Sequence, residues 1–250
     1  QSTLTLSIDG SSDTAFLSVA DQSFVVGNAD NDVAGFVLSA LTGGDLQEGS
    51  SDTVSFTAVL TAEPATNVIL DISSLDLTEV SVATGSLTFS PSNWNVTQTI
   101  TLNSVDEVLL DGSQQSSITV AVNTTSDADF TALPTQTVTV TTLDDDLPGF
   151  SVSGVSGSLQ EGSSGTASFT VVLDVQPLTD VVLSLRSGLS DEVSSTLVSY
   201  TFTNGNWNVS QTITLNSIDD FILDGTQQST ITLSIDASSD TAFLSVADQS

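Results

Sequence analysis

Residues 93–112 read NWNVTQTITLNSVDEVLLDG, and residues 206–225 read NWNVSQTITLNSIDDFILDG. Fifteen of the twenty positions are identical, and each copy leads into a Gln-Gln pair, Gln114-Gln115 and Gln227-Gln228. A near-copy at this distance means that one supersecondary unit is used repeatedly, so the unit has to be read before the chain. Other pairs fix the period. Gly35-Phe36 returns as Gly149-Phe150 and LQEGSS at 46–51 returns at 159–164, offsets of 114 and 113. The opening stretch 1–23 returns at 228–250 with only Leu4/Ile231 and Gly10/Ala237 changed, an offset of 227, or two periods. The periodicity predicts three pieces: residues 1–33 as the last two strands of a module, 34–148 as a complete module, and 149–250 as a module short of its last strand.

Within a period the apolar residues alternate with polar ones, which is the signature of half-buried strands. Phe36 and Leu38 open the series. Val54, Phe56, Ala58 and Leu60 follow, then Val68, Leu70 and Ile72, then Leu87 and Phe89. Ile100 and Leu102, Ile118, Val120 and Val122, and Val138 and Val140 complete it. Gly43-Gly44, Glu63-Pro64, Ser90-Pro91, Asp111-Gly112 and Leu147-Pro148 mark turns between them. Helical periodicity of useful length is absent. Seven short strands per period predict an all-β chain of tandem antiparallel β-sandwiches of the immunoglobulin or fibronectin-III type. The last strand of one module runs through DDDLPGF at 144–150 into the next. Such a junction favours an end-to-end rod over beads on a flexible string.

The chain has 31 acidic residues, one Arg, no Lys, His, Cys or Met, and a formal net charge of −30. That field opposes binding to nucleic acid and to anionic membrane surfaces, which take Lys and Arg. Disorder, the usual alternative for acidic chains, conflicts with an apolar content of 38% placed in regular alternation. Without His, Cys or Lys there is no Ser-His-Asp triad, Cys-His pair, Schiff base, or nitrogen or sulfur metal site. Hard oxygen ligands remain. Little is left to oxidise or for trypsin-like proteases to cut, which suits an extracellular or cell-surface location. No stretch reads as a membrane span, and the first residues do not read as a signal peptide.

The acids gather in loops that a sandwich brings to one end. Glu48 follows the first strand, and Asp76 and Glu79 precede LTF. Asp106, Glu107 and Asp111 lie in the loop of the repeated block, and Asp144, Asp145 and Asp146 end the last strand. The next module repeats the set with Glu161, Asp191, Glu192, Asp219, Asp220 and Asp224, and Asp30-Asn31-Asp32 stands where the Asp triplet would in the first fragment. Crowded carboxylates repel, and a Ca²⁺ ion with six to eight oxygen ligands relieves them. The plain alternative is a set of solvated loop acids. Recurrence in register, from loops distant in sequence, favours Ca²⁺. The candidate ligands are Glu48, Glu79, Asp106, Asp111, Asp144, Asp145, Asp146, Glu161, Glu192, Asp219, Asp220, Asp224, Asp30 and Asp32.

The run EGSS…VSFTAVL, LDLTEVSVATGSLTFSPSNWNVTQTITLNSVDEVLLDG, SDADF…TVTVTTLDDD resembles Calx-β repeats, of the tandem kind found in large bacterial surface and secreted proteins. The resemblance covers essentially the whole chain, and its LTF…NWN…QT…D…DG core is the more specific part. It implies a β-sandwich binding Ca²⁺ at one tip, through Glu48, Asp106, Asp111 and Asp144 to Asp146, and then Glu161, Asp219, Asp220 and Asp224. Val108, Leu109 and Leu110 interrupt the loop acids, a departure from the Ca²⁺-sensing members.

Trp94 and Trp207 read as residues that pack the module edge rather than as sugar platforms. Asn95, Asn123 and Asn208 form N-x-Ser/Thr sequons, two of them inside the NWN turn. Paired carboxylates alone do not make a glycosidase without an aromatic-lined cleft. The sequence therefore points to a non-catalytic extracellular array (stalk, adhesin or filament) stiffened by Ca²⁺, whose partners are neighbouring copies of the module. Two alternatives remain: a fibre subunit joined by strand addition, with residues 24–33 as the added strand, and an adhesin module that binds a glycan or protein of a host surface or matrix.

Overall fold

The computed structural model describes residues 2–250. It contains strands β1 (Ser2–Leu6), β2 (Gln22–Val26), β3 (Phe36–Leu38), β4 (Leu46–Gln47), β5 (Thr53–Leu60), β6 (Val68–Ser74), β7 (Val80–Val82), β8 (Ser86–Phe89), β9 (Gln98–Ser104), β10 (Gln114–Val122) and β11 (Gln136–Leu143). These are followed by β12 (Phe150–Val152), β13 (Ser156–Gly157), β14 (Thr166–Leu173), β15 (Val181–Ser187), β16 (Val193–Ser195), β17 (Ser199–Phe202), β18 (Gln211–Ser217) and β19 (Ile231–Ile235). One short 3₁₀ turn, Thr241–Ser245, is the helical content of the described residues, and no helix among them is long and apolar enough to cross a membrane.

The central sandwich faces a sheet ordered β4-β11-β10-β6-β8 against one ordered β3-β5-β9-β7. Alternation dictates its core. Val54, Phe56, Ala58 and Leu60 of β5 point inward, and Phe56 pairs with Ile100 of β9. Across the layer lie Ile72 and Val120, paired between β6 and β10. Side chains from the two inner faces interlock into one apolar cluster. The seven strands expected from alternation are present as β3, β5, β6, β8, β9, β10 and β11. The sequence pattern misses β4 and β7, which at two and three residues are too short to show a period.

The second sandwich repeats β12-β14-β18-β16 on one side and β17-β15-β19 on the other, around its own cluster. Among the described residues its second sheet ends at β19, where the central module continues into β11 and β4. The N-terminal segment forms a separate antiparallel hairpin, β1-β2, whose residues are exposed on both faces. Near-identical sequence thus occurs in two environments: Phe16 is 58% exposed where Phe243 is 0%, and Leu6 is 58% exposed where Leu233 is 2%.

The NWN turn is built by its first Asn. Asn93 Oδ1 accepts from the Ser90 N–H and hydroxyl, and Asn206 does the same for Thr203. Trp94 and Trp207 are then half-buried against their module cores. Asp127 and Asp240 are also structural: their carboxylates accept from Thr66 and Thr179 N–H groups, tying the β10–β11 turn (in the second module, the turn after β19) to the opposite loop.

Candidate metal centre

Four loops meet at the end of the central module nearest the second sandwich. The parallel β4–β11 pairing, Thr142 opposite Leu46, seats Glu48 through a Glu48 N–H bond to the Leu143 carbonyl at 3.1 Å. Glu79 sits beside β9, its carbonyl accepting from the Val105 N–H at 2.9 Å. Past the end of β11, Asp144 Oδ1 accepts from the Asp146 N–H and Asp144 Oδ2 from the Gly112 N–H at 2.7 Å. Gly49 carries φ +65°, and a Cβ there would stand 2.6 Å from Asp145 Oδ2, so the loop after Glu48 packs flat against the Asp triplet only because it is Gly.

Two carboxylate trios share Glu48. One is Glu48, Asp144 and Asp146, the other Glu48, Glu79 and Glu107, each offering oxygens within 4.8 Å of one another. Glu48 and Glu79 are each only 2% exposed. Both Glu48 oxygens are buried without a hydrogen-bond partner, as are single oxygens of Glu79, Glu107, Asp111 and Asp146. A buried carboxylate without a donor or counter-charge is costly. Burial, reinforced by the charges of Glu79, Asp144 and Glu107, pushes the Glu48 carboxyl up to about 8. Burial and Asp111 hold Glu107 up at about 7, and burial with neighbouring acids raises Glu79 and Asp146. The sole basic residue, Arg186, is exposed on β15 of the other module. The all-oxygen, acid-only donor set fits a hard cation such as Ca²⁺ and fits no soft metal.

Of the candidate ligands, Glu48, Glu79, Asp144 and Asp146 are thus brought together, with Asp111 beside them. Asp106 and Asp145 lie at the rim, exposed. In the second module Glu161, Glu192 and Asp224 form a trio, while Asp219 and Asp220 stay outside it. Burial and a hydrogen bond shared with Glu161 raise Glu192. Asp30 and Asp32 lie exposed in the N-terminal segment and belong to none of the trios. Glu107, not chosen as a ligand from the sequence, belongs to a trio; alternation within its loop, Asp106 out and Glu107 in, is the signal that marks it.

The same loop also seals the joint. Leu110 is 9% exposed and packs into the second sandwich's core cluster. Its N–H donates to the Gln176 carbonyl at 2.9 Å, and the Gln176 N–H donates to the Val108 carbonyl at 2.8 Å.

No protein family and no curated protein matches this sequence. Among solved structures, the chain is similar to the calcium binding domain CBD12 of CALX1.1 at 15% identity and TM-score 0.30, covering 78% of this chain and 77% of that one. It is similar to the apo-form Calx CBD1 domain at 18% identity and TM-score 0.30, covering 42% and 92%. The YadV chaperone gives 10% identity and TM-score 0.33, covering 80% and 91%. These are coarse likenesses of all-β proteins.

Proposed function

We propose that this chain is a non-catalytic, extracellular structural array of Calx-β-like sandwiches whose module junctions are stiffened by Ca²⁺. The observation that carries the reading is Glu48: a buried carboxylate, both oxygens unpartnered, common to two acid trios in a module that contains no basic residue. Charge balance there comes from solution, as a proton or a cation. Glu48, Glu79, Glu107, Asp144 and Asp146 hold the ion, with Asp111 beside them. Because Asp111 directly follows Leu110, an ion that orders the loop also orders the contact with the next sandwich. Without it the carboxylates repel and the loop loosens, so adjacent modules swing. Extracellular Ca²⁺ levels suit a site of this charge, and the lack of Cys and Met suits an oxidising exterior.

Titration calorimetry of the chain with Ca²⁺, Mg²⁺ and an ionic-strength match of Na⁺ tests this. Saturable heat with Ca²⁺ at the lowest concentration is expected. Heats that depend on ionic strength alone would return these residues to ordinary solvated acids.

A further inference from the structure

We infer that Thr142 and Ser116 form the inner wall of the candidate metal centre: their hydroxyls supply the neutral oxygens that replace water on the side of the ion facing the core, and so favour Ca²⁺ over Mg²⁺. This rests on the cation reading above and adds to it two residues that carry no charge.

Buried polar groups in folded chains are almost always paired, and this sandwich follows the rule elsewhere. Ser74 Oγ donates to the Asp76 carbonyl at 2.7 Å and accepts from the Asp76 N–H at 3.1 Å. Ser126 Oγ accepts from the Ile69 N–H at 2.9 Å. Thr142 and Ser116 depart from it. They are 0% and 1% exposed, and neither hydroxyl oxygen has a partner. Among the described residues the other buried side-chain oxygens without a partner, Ser195 Oγ apart, belong to Glu48, Glu79, Glu107, Asp111 and Asp146. The orphaned hydroxyls and the orphaned carboxylates therefore share one end of the sandwich.

Strand register puts them together. β11 runs parallel to β4, with Thr142 opposite Leu46 and Leu143 opposite Gln47. Leu46, Glu48 and Thr142 are buried while Gln47 and Leu143 are exposed. Thr142 thus lies on the inner face one pleat below Asp144, beside the strand that leads into Glu48. On the other flank, β10 sets Gln114 opposite Thr142 and Ser116 opposite Val140. Gln114 is already engaged, its Nε2 donating to the Asp111 carbonyl at 3.1 Å. The inner face passes from the apolar Val140, through the hydroxyls of Ser116 and Thr142, to the carboxylates of Glu48 and Asp144.

The choice of residue points the same way. Val138 and Val140 precede Thr142 on this face, and a Val would fill its place with the same shape and no polar atom to desolvate. A hydroxyl there costs stability unless something comes to meet it. The repeats keep a neutral oxygen at both positions: Ser2 and Ser229 stand where Ser116 does, and Asn28 stands where Thr142 does.

An ion drawn to Glu48 rests against a wall that bulk water does not reach, so it gives up hydration on that side. Ca²⁺ does this readily and accepts a large, adaptable shell of oxygens, whereas Mg²⁺ keeps its waters and demands near-ideal octahedral geometry. Further carboxylates on the inner side would add repulsion. Hydroxyls complete the shell without charge.

Calorimetric titration of the full chain with Ca²⁺ and with Mg²⁺ tests this, beside Glu48→Gln, which marks the part of the heat that belongs to this centre. Thr142→Val should weaken Ca²⁺ binding about tenfold, leave Mg²⁺ binding near its wild-type strength, and melt in chelator at or above the wild-type temperature. Ser116→Ala should shift Ca²⁺ affinity in the same direction, and Thr142→Ser, which keeps the hydroxyl, should retain it. Wild-type Ca²⁺ affinity in both Thr142→Val and Ser116→Ala overturns the proposal, as does a Thr142→Ser as weak as Thr142→Val. Equal losses for Ca²⁺ and Mg²⁺ overturn the selectivity. Wild-type Ca²⁺ heats no greater than those of Glu48→Gln overturn the cation reading itself, and the wall with it.

Discussion

The N–H of Leu110 donates to the carbonyl of Gln176 at 2.9 Å, across the boundary between two sandwiches. The residue next to Leu110 is Asp111, one of whose oxygens is buried and unpartnered beside the acid trios. A single loop therefore faces the candidate ion on one side and the neighbouring module on the other. In the proposed reading, local charge and the angle between modules are coupled through these two adjacent residues.

Leu110→Ser should separate the two effects. It removes an apolar side chain from the second module's cluster and should cost about 1–3 kcal/mol of coupling. Ca²⁺ binding should be nearly unchanged, because Glu48 and its partners stay in place. Small-angle scattering of the variant should show a broader range of module angles, even with Ca²⁺ present.

The pH dependence follows from the raised carboxyls. Glu48 stands at about 8 and Glu107 at about 7, from an ordinary 4.5. Folded protein holds these protons more tightly than unfolded protein does. The stability they contribute is complete below about 4.5 and is lost as pH rises through 7 and 8. In chelator, the melting temperature should fall as pH is raised from about 5 to about 9. With Ca²⁺ the fall should be reduced, and ion binding should release protons, measurable by calorimetry in buffers of different ionisation enthalpy.

Glu48→Gln replaces the buried carboxylate by a neutral group of the same shape. In chelator above pH 8 it should stabilise the module by roughly 1–3 kcal/mol, since a desolvated charge is removed. In Ca²⁺ it should lose most of the ion's stabilisation. Denaturant unfolding in the two buffers reads both signs, and a variant destabilised in both would place Glu48 in a purely structural role.

Gly49→Ala tests the loop's close approach. Its φ of +65° disfavours a side chain, and the new Cβ would stand 2.6 Å from Asp145 Oδ2. A loss of roughly 1–2 kcal/mol is expected from backbone strain, together with weaker Ca²⁺ binding as the Asp triplet is displaced. Gly85→Ala has open space and serves as the control.

Much of this was legible in the sequence because β-strands write their inward residues at every second position. Phe56 and Ile100, or Ile118 and Val120, declare a core face without any structure. β4 and β7 left no such trace, since Leu46 and Val80 are each the only buried hydrophobic of their strand. At the site, Glu48 was legible through EGSS recurring in register. Its burial was not, because that depends on the parallel contact with β11, which joins residues far apart in sequence. Glu107 and Asp127 show the limit in opposite directions. The first is a member of one trio, turned inward while its neighbour Asp106 is exposed, and the alternation that separates the two spans only a pair of residues. The second, acidic and buried at 5% exposure, serves backbone N–H groups at the far end of β10.

The most direct test of a cation-stiffened junction is the melting temperature of the chain at moderate, matched ionic strength, in chelator and across a Ca²⁺ series. A temperature that climbs with the logarithm of Ca²⁺ concentration is expected, as for any ligand bound by the folded state alone, and Na⁺ should not reproduce it. A melting temperature indifferent to Ca²⁺, or one raised equally by Na⁺, would contradict a cation-stiffened junction.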